Sequence, residues 1–477
     1  MQPFATMTMN PIFRPSRVLP RLLSYALLAC TGLAQAQEIR LDFEYDTVDN
    51  RTKVTDGLNH ATQMQYDVLR RMRQVQQAAP AANASRPTSY LTYDAANQLQ
   101  SFTDPRNLVT SYGIDGLGKQ SNLTSPDTGI TRATYDSVGN LTSSTDARGV
   151  LTTYTHDAIN RLTSISHAGA KAPYQFIYDL GENGKGRLSQ MRYPNGQTDF
   201  TWDEFGRLRS KRQTLTQGNV TRVLAYSYTW GKTGYGKGLL ASMTYPSGNR
   251  IDYAYDKGGR INSLTLQPAN GGIPVALISN INYRPFGPAT SWDWGNSSET
   301  QRNSYARSFD LAGRLNSYPL GNAFNQGVLR TLTFDPASRI KQFTDTAFID
   351  NRKAIQSFEY DDIDRLTSYS DGVHTRGYRY DASGNRTQLI IDGVVQANSI
   401  DPASNRLRSV TVGTYAAPIK TDAIGNQQSN GTGPVFTYGP TGRIESVIDI
   451  NTYTGVNYYY NSIGERLNTG NSYYLHD

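Results

Sequence analysis

A short motif recurs along this chain and limits what the chain can fold into more than any other feature. The motif reads aromatic-Asp-x-x-Gly-[Asn/Arg]-Leu and is followed by a stretch rich in Thr and Ser, as in residues 135–146. Repetition at a short, fixed step predicts one small unit stacked many times. Copies start 20 or 21 residues apart at positions 93, 114, 135 and 156 and again at 360, 380, 400 and 421. Clear and degenerate copies begin at Tyr45, Tyr66, Tyr93, Ile114, Tyr135, His156, Tyr178, Trp202, Tyr255, Phe309, Phe334, Tyr360, Tyr380, Ile400, Thr421 and Tyr460, with longer steps between 202 and 334 and weaker copies near Trp230 and Tyr283.

Each unit has the pattern of a strand, a tight turn and a second strand. Residues 153–156 alternate in the manner of a strand, and residues 162–166 do so again. Between them, Asp157 can accept a hydrogen bond from the backbone N–H two residues on. Asn160 stands in the glycine position, where the turn needs a positive φ. The next turn is supplied by groups such as 146–149, so the units follow one another as hairpins.

The predicted fold is all-β. The aromatic residue and the leucine flank the turn and can pair across the hairpin on one face. A single hairpin cannot bury that face alone, so the hairpins must stack side by side. We therefore expect a spiralling antiparallel sheet that forms an open shell or tube. The array fills residues 37–477 with about 16–19 units and ends in the middle of a unit, and sustained helical periodicity is absent after residue 36.

The composition agrees with strands and turns and argues against several functions. The chain holds 32 Tyr and 42 Gly, a mixture that suits sheets and tight turns and is too aromatic for a disordered chain. The formal net charge is +7, but Arg14, Arg17 and Arg21 precede the first acid, Glu38. The remaining basic residues are scattered and form no run, so a nucleic-acid surface is not predicted.

Residues 1–36 have the pattern of a bacterial secretory signal. Arginines precede a short apolar run at 22–29, and Ala34-Gln35-Ala36 is a small-residue cleavage site. The run is too short to span a bilayer, and nothing later is apolar enough to do so. Cys30 is the only cysteine. It is either incidental to the signal or, since residues 27–30 resemble a lipobox, the site of lipid attachment. We expect an exported protein, secreted or held at the cell surface.

The candidate site residues are those of the motif, and their expected roles are structural. Asp and Gly set the turns, and the aromatic residues build the wall. They are Tyr45, Asp46, Tyr66, Asp67, Tyr93, Asp94, Tyr135, Asp136, Gly139, Asp157, Tyr178, Asp179, Trp202, Asp203, Gly206, Tyr255, Asp256, Gly259, Phe309, Asp310, Gly313, Tyr360, Asp361, Tyr380, Asp381 and Gly384.

Motifs that carry chemistry are missing, so no catalytic, cofactor-binding or metal-binding residue is predicted, and the chain is not expected to be an enzyme. Zinc-type Cys and His spacings and a serine nucleophile elbow do not occur. Gly231-Lys232-Thr233 resembles the end of a phosphate loop but lacks its first glycine. Asp361, Asp362 and Asp364 lack calcium-loop spacing and are interpreted as a turn.

The repeats resemble the YD repeats of the Rhs family, which includes bacterial polymorphic-toxin carriers and, more distantly, animal teneurins. The resemblance covers roughly residues 41–477. It implies a spiralling β-cocoon, secretion, contact between cells and, in some members, carbohydrate binding. Complete bacterial members continue into a conserved core and a variable effector, whereas this sequence stops at Tyr473-Tyr474-Leu475-His476-Asp477. We expect a gene product truncated before the core, one part of a split gene, or a fragment. The self-cleaving aspartate of some members belongs to the core, so no such residue is assigned here.

Two functions follow from this resemblance. The first is an exported, non-catalytic β-shell of a toxin-type carrier that acts by enclosure or cell contact. Its partner would be the missing core and effector or a protein that caps the sheet, because an open sheet edge invites pairing or aggregation. The alternative is a surface adhesin that binds a cell-surface glycan through exposed Tyr and Arg.

Overall fold

The computed structural model describes residues 40–295, 303–321, 327–469 and 472–473. The predicted signal at 1–36, with Cys30, lies outside this range. The described residues are almost entirely antiparallel β-strands, with one 3-10 turn at Gly234–Gly236. The all-β prediction is therefore confirmed. Within the described ranges, no helix has the length and apolar character that crossing a bilayer requires.

The strands form three hydrogen-bonded groups along the chain. The first contains β1 (Asp42–Tyr45), β2 (Arg51–Thr55), β3 (Ala61–Tyr66), β4 (Met72–Gln76), β5 (Thr88–Tyr93), β6 (Leu99–Thr103), β7 (Val109–Ile114), β8 (Gln120–Ser125), β9 (Gly129–Tyr135), β10 (Leu141–Thr145), β11 (Leu151–His156), β12 (Leu162–His167), β13 (Tyr174–Tyr178), β14 (Leu188–Tyr193), β15 (Gly196–Trp202), β16 (Leu208–Gln217), β17 (Val220–Trp230), β18 (Leu240–Thr244), β19 (Arg250–Tyr255), β20 (Ile261–Gln267), β21 (Val275–Tyr283), β22 (Ala289–Trp294) and β23 (Asn303–Ala306). The second contains β24 (Ser308–Phe309), β25 (Leu315–Leu320), β26 (Val328–Phe334), β27 (Ile340–Ala347), β28 (Lys353–Tyr360), β29 (Leu366–Ser370), β30 (Thr375–Tyr380), β31 (Arg386–Ile391), β32 (Val394–Ile400), β33 (Leu407–Val412) and β34 (Tyr415–Pro418). The third contains β35 (Lys420–Thr421), β36 (Gln427–Ser429), β37 (Pro434–Tyr438), β38 (Ile444–Asp449), β39 (Thr454–Tyr460), β40 (Arg466–Thr469) and β41 (Ser472–Tyr473).

These groups form one continuous ribbon, because each strand pairs with the next and the group boundaries fall within strands. Only Arg307 separates β23 from β24, and its N–H still donates to the Thr290 carbonyl across the sheet. Only Ile419 separates β34 from β35, and its N–H donates to the Arg408 carbonyl. The ribbon therefore passes through both boundaries without a crossover.

The hairpin register places the motif aromatic opposite the residue that follows the turn. Tyr135 pairs with Leu141, and His156 pairs with Leu162. In both hairpins a register shift lies next to this pair. An extra residue at such a shift bends the strand and increases its twist. The same irregularity in one hairpin after another gives the ribbon a consistent tendency to coil.

The two faces of the ribbon differ in chemistry. On one, the residue before the motif aromatic is Thr or Ser in several units, where its hydroxyl pairs with a second hydroxyl across the hairpin. The Thr134 and Ser143 hydroxyls are 2.6 Å apart, and those of Thr201 and Ser210 are 2.7 Å apart. We call this the hydroxyl face. The other face, the aromatic face, carries the motif aromatics, and Tyr135 on this face is only partly buried. Because no second sheet covers Tyr135 fully, the ribbon is a single layer here.

Side-chain hydrogen bonds of the motif aromatics tie each unit to the unit before it. The Tyr380 hydroxyl donates to the Leu366 carbonyl at 2.8 Å, and the Trp202 indole N–H donates to the Leu188 carbonyl at 3.0 Å. In each case the acceptor is the residue that follows the preceding turn. The same bond is made by Tyr66, Tyr93, Tyr135, Tyr178, Trp230, Tyr255, Tyr283, Tyr360, Tyr438 and Tyr460.

The ribbon coils until its later part lies against its earlier part. Hydrogen bonds between the two passages join residues 270 to 301 positions apart, so one turn of the coil takes about that length of chain. A small buried cluster of Tyr193, Leu215 and Leu467 forms where the long hairpin β16–β17 reaches the later passage. The prediction of a spiralling sheet is confirmed.

We expect Tyr380→Phe to lower the free energy of unfolding by about 1 kcal/mol, the usual net value of one such hydrogen bond. The substitution removes the bond to Leu366 and keeps the ring beneath the Arg365 guanidinium. Tyr378→Phe, on the same strand, is the matched control, because the Tyr378 hydroxyl makes no hydrogen bond within the described part of the chain. Urea denaturation compares them, and equal losses would contradict the proposed role of this bond.

Candidate functional site

The motif aspartate holds the turn through its carboxylate. In the unit at 157–161, Asp157 Oδ1 accepts the backbone N–H of Ile159 at 3.0 Å and that of Arg161 at 2.9 Å. The Asp157 N–H donates to the Arg161 carbonyl, and Asn160 donates back to the Asp157 carbonyl. Asn160 has a φ of 65°, the left-handed conformation that the sequence predicts for the glycine position.

The other predicted motif residues lie in the same arrangement, apart from one longer turn. Oδ1 of Asp46, Asp67, Asp94, Asp136, Asp203, Asp256, Asp310, Asp361 and Asp381 accepts the N–H four residues on. Gly139, Gly206, Gly259, Gly313 and Gly384 all have positive φ. Asp179 begins the longer turn and accepts from the N–H of Gly186 and the guanidinium of Arg161 instead.

These hydrogen bonds favour the charged carboxylate. The pKa of Asp157 is lowered, first by the backbone N–H of Arg161. In Asp136 the side-chain amide of Asn140 is the main cause of the lowered pKa. The Arg161 guanidinium, followed by the Gly186 N–H, lowers the pKa of Asp179 to about 2. The lowered pKa values favour the charged form of these three carboxylates, which suits a structural role.

An arginine after the glycine position links consecutive units, a role that the sequence analysis did not assign. Arg161 donates to Asp157 of its own turn and to Asp179 of the next. Its guanidinium also lies 4.3 Å from the ring centre of Tyr178, within cation–π distance. The same stacking recurs at Arg71, Arg207, Arg260, Arg314, Arg339 and Arg365. The sequence contained a clue to this role, because the motif position after the glycine is occupied by either Arg or Asn.

Two rows of turns form the long edges of the ribbon. The motif edge consists of the turns that follow the motif aromatics, from 46–50 to 461–465. The return edge consists of the turns between units, from 56–60 to 450–453. In the coil, the motif edge of the later passage lies against the return edge of the earlier passage. We call this contact the seam.

Arg106 is one anchor of the seam. From the return-edge turn 104–108, its guanidinium donates to the carbonyls of Asp401 and Ser404 at 2.8 and 2.7 Å. It also lies 3.4 Å from the carboxylate of Asp381. One side chain thereby satisfies backbone acceptors of one motif turn and the carboxylate of its neighbour.

Two return-edge aspartates meet the amide of Asn405 in the same seam. The Asn405 side-chain N–H group donates to Asp104 at 3.0 Å and lies 3.2 Å from Asp127. The Asn405 backbone N–H donates to Asp127 at 2.6 Å. Ser383 adds a hydroxyl donor to Asp104. The pKa of Asp104 is lowered although burial opposes this, because the side chain of Asn405 and the backbone N–H of Leu108 donate to the carboxylate.

Further anchors extend the seam in both directions. Arg148 donates to the carbonyls of Gly439 and Pro440, both at 2.9 Å. Near the start of the contact, His60 lies 3.0 Å from Asp56 on its own turn and 3.3 Å from Asp362 of the later passage. The seam is therefore polar and specific, with individual partners for its charged groups.

A groove on the motif edge contains the segment that resembles a phosphate loop. Gly231 and Lys232 lie beside Trp230. The Trp230 indole N–H donates to the Leu208 carbonyl, and the Arg207 guanidinium lies over the Trp230 ring. Phe205 is 71% exposed at the rim. Gly231-Lys232-Thr233 belongs to an insertion between β17 and β18 and precedes the 3-10 turn. Charged and aromatic side chains line this groove.

The other acidic clusters have separate partners. Asp361 holds its own turn, Asp362 faces His60, and Asp364 lies 3.0 Å from Arg339. Across the described ranges, no three His, Cys, Asp or Glu side chains are arranged to hold a metal ion.

Three units were missed or underrated by sequence reasoning. Trp230 and Tyr283 begin units that make the aromatic hydrogen bond of the others, although Gly231 and Arg284 replace the motif aspartate. The unit at Tyr438 was missed because Gly439 replaces the motif aspartate, yet the turn 439–443 keeps both backbone hydrogen bonds. The signal that could have found it is Gly442, which keeps the glycine position with a φ of 75°.

Comparison with known proteins points to one family. Residues 135–172 match the family described as RHS Repeat. A crystal structure of TcdB2-TccC3 superposes with a TM-score of 0.74 at 16% identity, over 91% of this chain and 26% of that chain. A Photorhabdus luminescens Tc holotoxin pore structure gives 0.75 at 17% identity, over 91% and 26% of the two chains. TcdB2-TccC3 without its hypervariable C-terminal region gives 0.73 at 16% identity with the same coverage.

The chain thus spans about a quarter of the length of the structures it matches. At this level of identity the likeness establishes the fold. A comparison with curated proteins finds no match.

The lowered pKa values predict how stability depends on pH. A carboxyl group whose pKa is depressed in the folded state stabilises the fold above its ordinary pKa, and this contribution is lost as pH falls through the folded value. We therefore expect the melting temperature to fall as the pH drops from the ordinary carboxyl pKa of 3.8 to about 2, the pKa of Asp179 in the folded chain. Calorimetry across this window measures it. A melting temperature that does not change down to pH 2 would be inconsistent with turns held by carboxylates.

The seam predicts that Arg148→Ala costs about 2–4 kcal/mol, because it strands buried acceptors that receive charged hydrogen bonds. The loss should appear as faster amide hydrogen exchange in β37 and β38, which flank the turn at Gly439 and Pro440. Arg250→Ala is the matched control, since its partner Asp252 is on the same strand and the pair is exposed. If Arg148→Ala left exchange in these strands unchanged, the seam would not be what holds the later passage in place.

Proposed function

We propose that this chain is an Rhs-repeat protein and that it forms the non-catalytic β-wall of a carrier that encloses or presents another polypeptide. The observation that carries the proposal is the seam, through which a single-layer ribbon becomes a continuous curved wall. A wall of this kind acts by excluding larger molecules from one of its sides, and its motif carboxylates are occupied in holding turns.

The seam supports enclosure more strongly than coiling alone does. A coil without contacts between its passages would leave a gap along its whole length. Here Arg106, Asn405 and Arg148 join the passages at intervals. Because these contacts involve backbone carbonyls as well as side chains, they fix the position of one passage relative to the other. Enclosure needs this fixed position, since a wall whose passages could separate would let large molecules through.

Further polypeptide is the natural partner of such a wall. The matched structures are complexes or longer chains of the TcdB2-TccC3 type, and this chain covers 26% of their length. We propose that this chain works with a core and effector segment or with a subunit that completes the wall. Export through the signal at 1–36 belongs to the same proposal, since carriers of this kind act outside the cell, and lipid attachment at Cys30 is the alternative to complete removal of that segment.

The adhesin remains the second candidate. The groove near Trp230 favours it, because exposed Phe205 and the neighbouring charged side chains offer a sugar both an apolar surface and hydrogen-bond partners. Binding to a glycan array that is lost in Phe205→Ser would support this function, and an array without signal would remove it.

Enclosure predicts that the two faces of the ribbon differ in access to large reagents. Ala133 and Thr134 are adjacent on β9 and point to opposite faces, with Thr134 on the hydroxyl face. In a Cys30→Ser background, we expect Ala133→Cys and Thr134→Cys each to react with a small maleimide. One of them should react many times more slowly with a maleimide carried on a folded protein.

The two reaction rates for each position are compared as a ratio, which removes the difference in local burial between the two residues. As a control, Arg148→Ala is added to each of the two cysteine variants. Because this substitution opens the seam, it should restore access of the large reagent to the protected side. If both cysteines gave the same ratio in the intact chain, the ribbon would have no protected side and enclosure would be rejected.

A further inference from the structure

The motif edge of the earlier passage exposes a row of apolar side chains. They occupy the second position after the turn-opening residue. They are Val48, Leu69, Leu117, Val138, Ile159 and Phe205, and their exposed fractions run from 42% at Val48 to 71% at Phe205. Their regular spacing makes them a stripe along the edge.

The return edge of the later passage is apolar in the same way. Exposed large apolar residues occur in or beside its turns at Ile349, Val373, Val394, Tyr415, Ile450 and Tyr453. The covered return edge of the earlier passage instead presents Arg106, Asp127 and Arg148. Within the described residues, the seam is therefore polar, whereas the motif edge of the earlier passage and the return edge of the later passage, which we call the free edges, expose apolar residues.

In the seam, an apolar residue of a motif turn is less exposed where a return edge covers it. Ile363 occupies the second position of a motif turn in the later passage and is only partly exposed. It lines a crevice with Val75 and Pro105 of the earlier passage. The motif edge and the return edge thus fit each other, and burial of this position accompanies the fit.

Charge does not oppose contact at the free edges. On the motif edge, Asp157 and Arg161 neutralise each other within the turn. On the return edge, Asp371 accepts from the N–H groups of its own turn, and Asp392 lies 2.9 Å from His374. At these turns the charged groups therefore have partners on their own edge.

We propose that two copies of this chain associate head to tail, with the apolar motif edge of one on the apolar return edge of the other. The contact continues the seam, because it joins the same two kinds of edge. It is heterologous, so a dimer still exposes one motif edge and one return edge, and further copies can add. This inference needs only the two edges and does not depend on what the wall encloses.

The test uses two variants of the full-length chain that each disable one edge. The motif-edge variant carries Leu117→Glu and Ile159→Glu, and the return-edge variant carries Val373→Glu and Tyr453→Glu. Sedimentation velocity over a concentration series should show dimers and larger species for the parent chain and monomers for each variant alone. An equimolar mixture of the two variants should form a dimer and nothing larger, because each supplies the edge that the other lacks.

Controls separate this result from misfolding and from general stickiness. Val223→Glu with Ile355→Glu changes exposed apolar residues within β17 and β28 and should associate like the parent. If a glutamate variant melts below the parent, the corresponding serine variant replaces it.

Three outcomes would overturn the inference. A parent chain that is monomeric at every concentration would do so. So would continued self-association of either edge variant, which would indicate pairing of like edges. A mixture that remains monomeric would exclude the head-to-tail arrangement as well.

Discussion

The structure depends on a carboxylate that satisfies the backbone at each motif turn. At a strand end, N–H groups lose their partners in the ladder, and leaving them unsatisfied is costly where they are partly buried. Asp157 accepts two of these groups with one oxygen and a guanidinium with the other. The turn therefore adopts one conformation, and the arginine transmits its position to the next turn. Coiling requires this, because a small error at each turn would add up over many units.

A single-layer sheet raises a problem that most β proteins solve by packing two layers. Here the large buried apolar side chains are few, and several lie near Met191, Tyr193 and Leu215, where the long hairpin β16–β17 covers the later passage. Elsewhere stability comes from neighbouring units, through strand pairing, the aromatic hydrogen bond and the stacked arginine. This is the behaviour of a repeat protein, in which each unit is stabilised mainly by its neighbours. The seam adds the long-range contacts that such an arrangement otherwise lacks.

The sequence predicted the features that depend on neighbours in the chain and missed those that depend on distant residues. The turns, the pairing of Tyr135 with Leu141 and the continuous ribbon follow from the motif, because local hydrogen bonds and alternation determine them. Arg106 and Arg148 could not be singled out, because the length of one coil decides what lies opposite them, and small twist angles summed over many strands set that length. The long step after Trp202 was visible in the sequence, but its reason, a hairpin that reaches the later passage, required the fold.

The difference between the polar seam and the apolar free edges has a physical consequence. Within one chain, the ribbon delivers Arg106 to the carbonyls of Asp401 and Ser404 each time it folds, so directional hydrogen bonds fix the register of the two passages. Directional bonds penalise a shifted register by leaving polar groups unpaired. Apolar contacts carry no such penalty and tolerate several registers. An edge that must meet a separate molecule can therefore rely on apolar turn residues, whereas an edge that must align with its own chain needs polar ones. The position of each edge in the coil thus accounts for the chemistry of its turns.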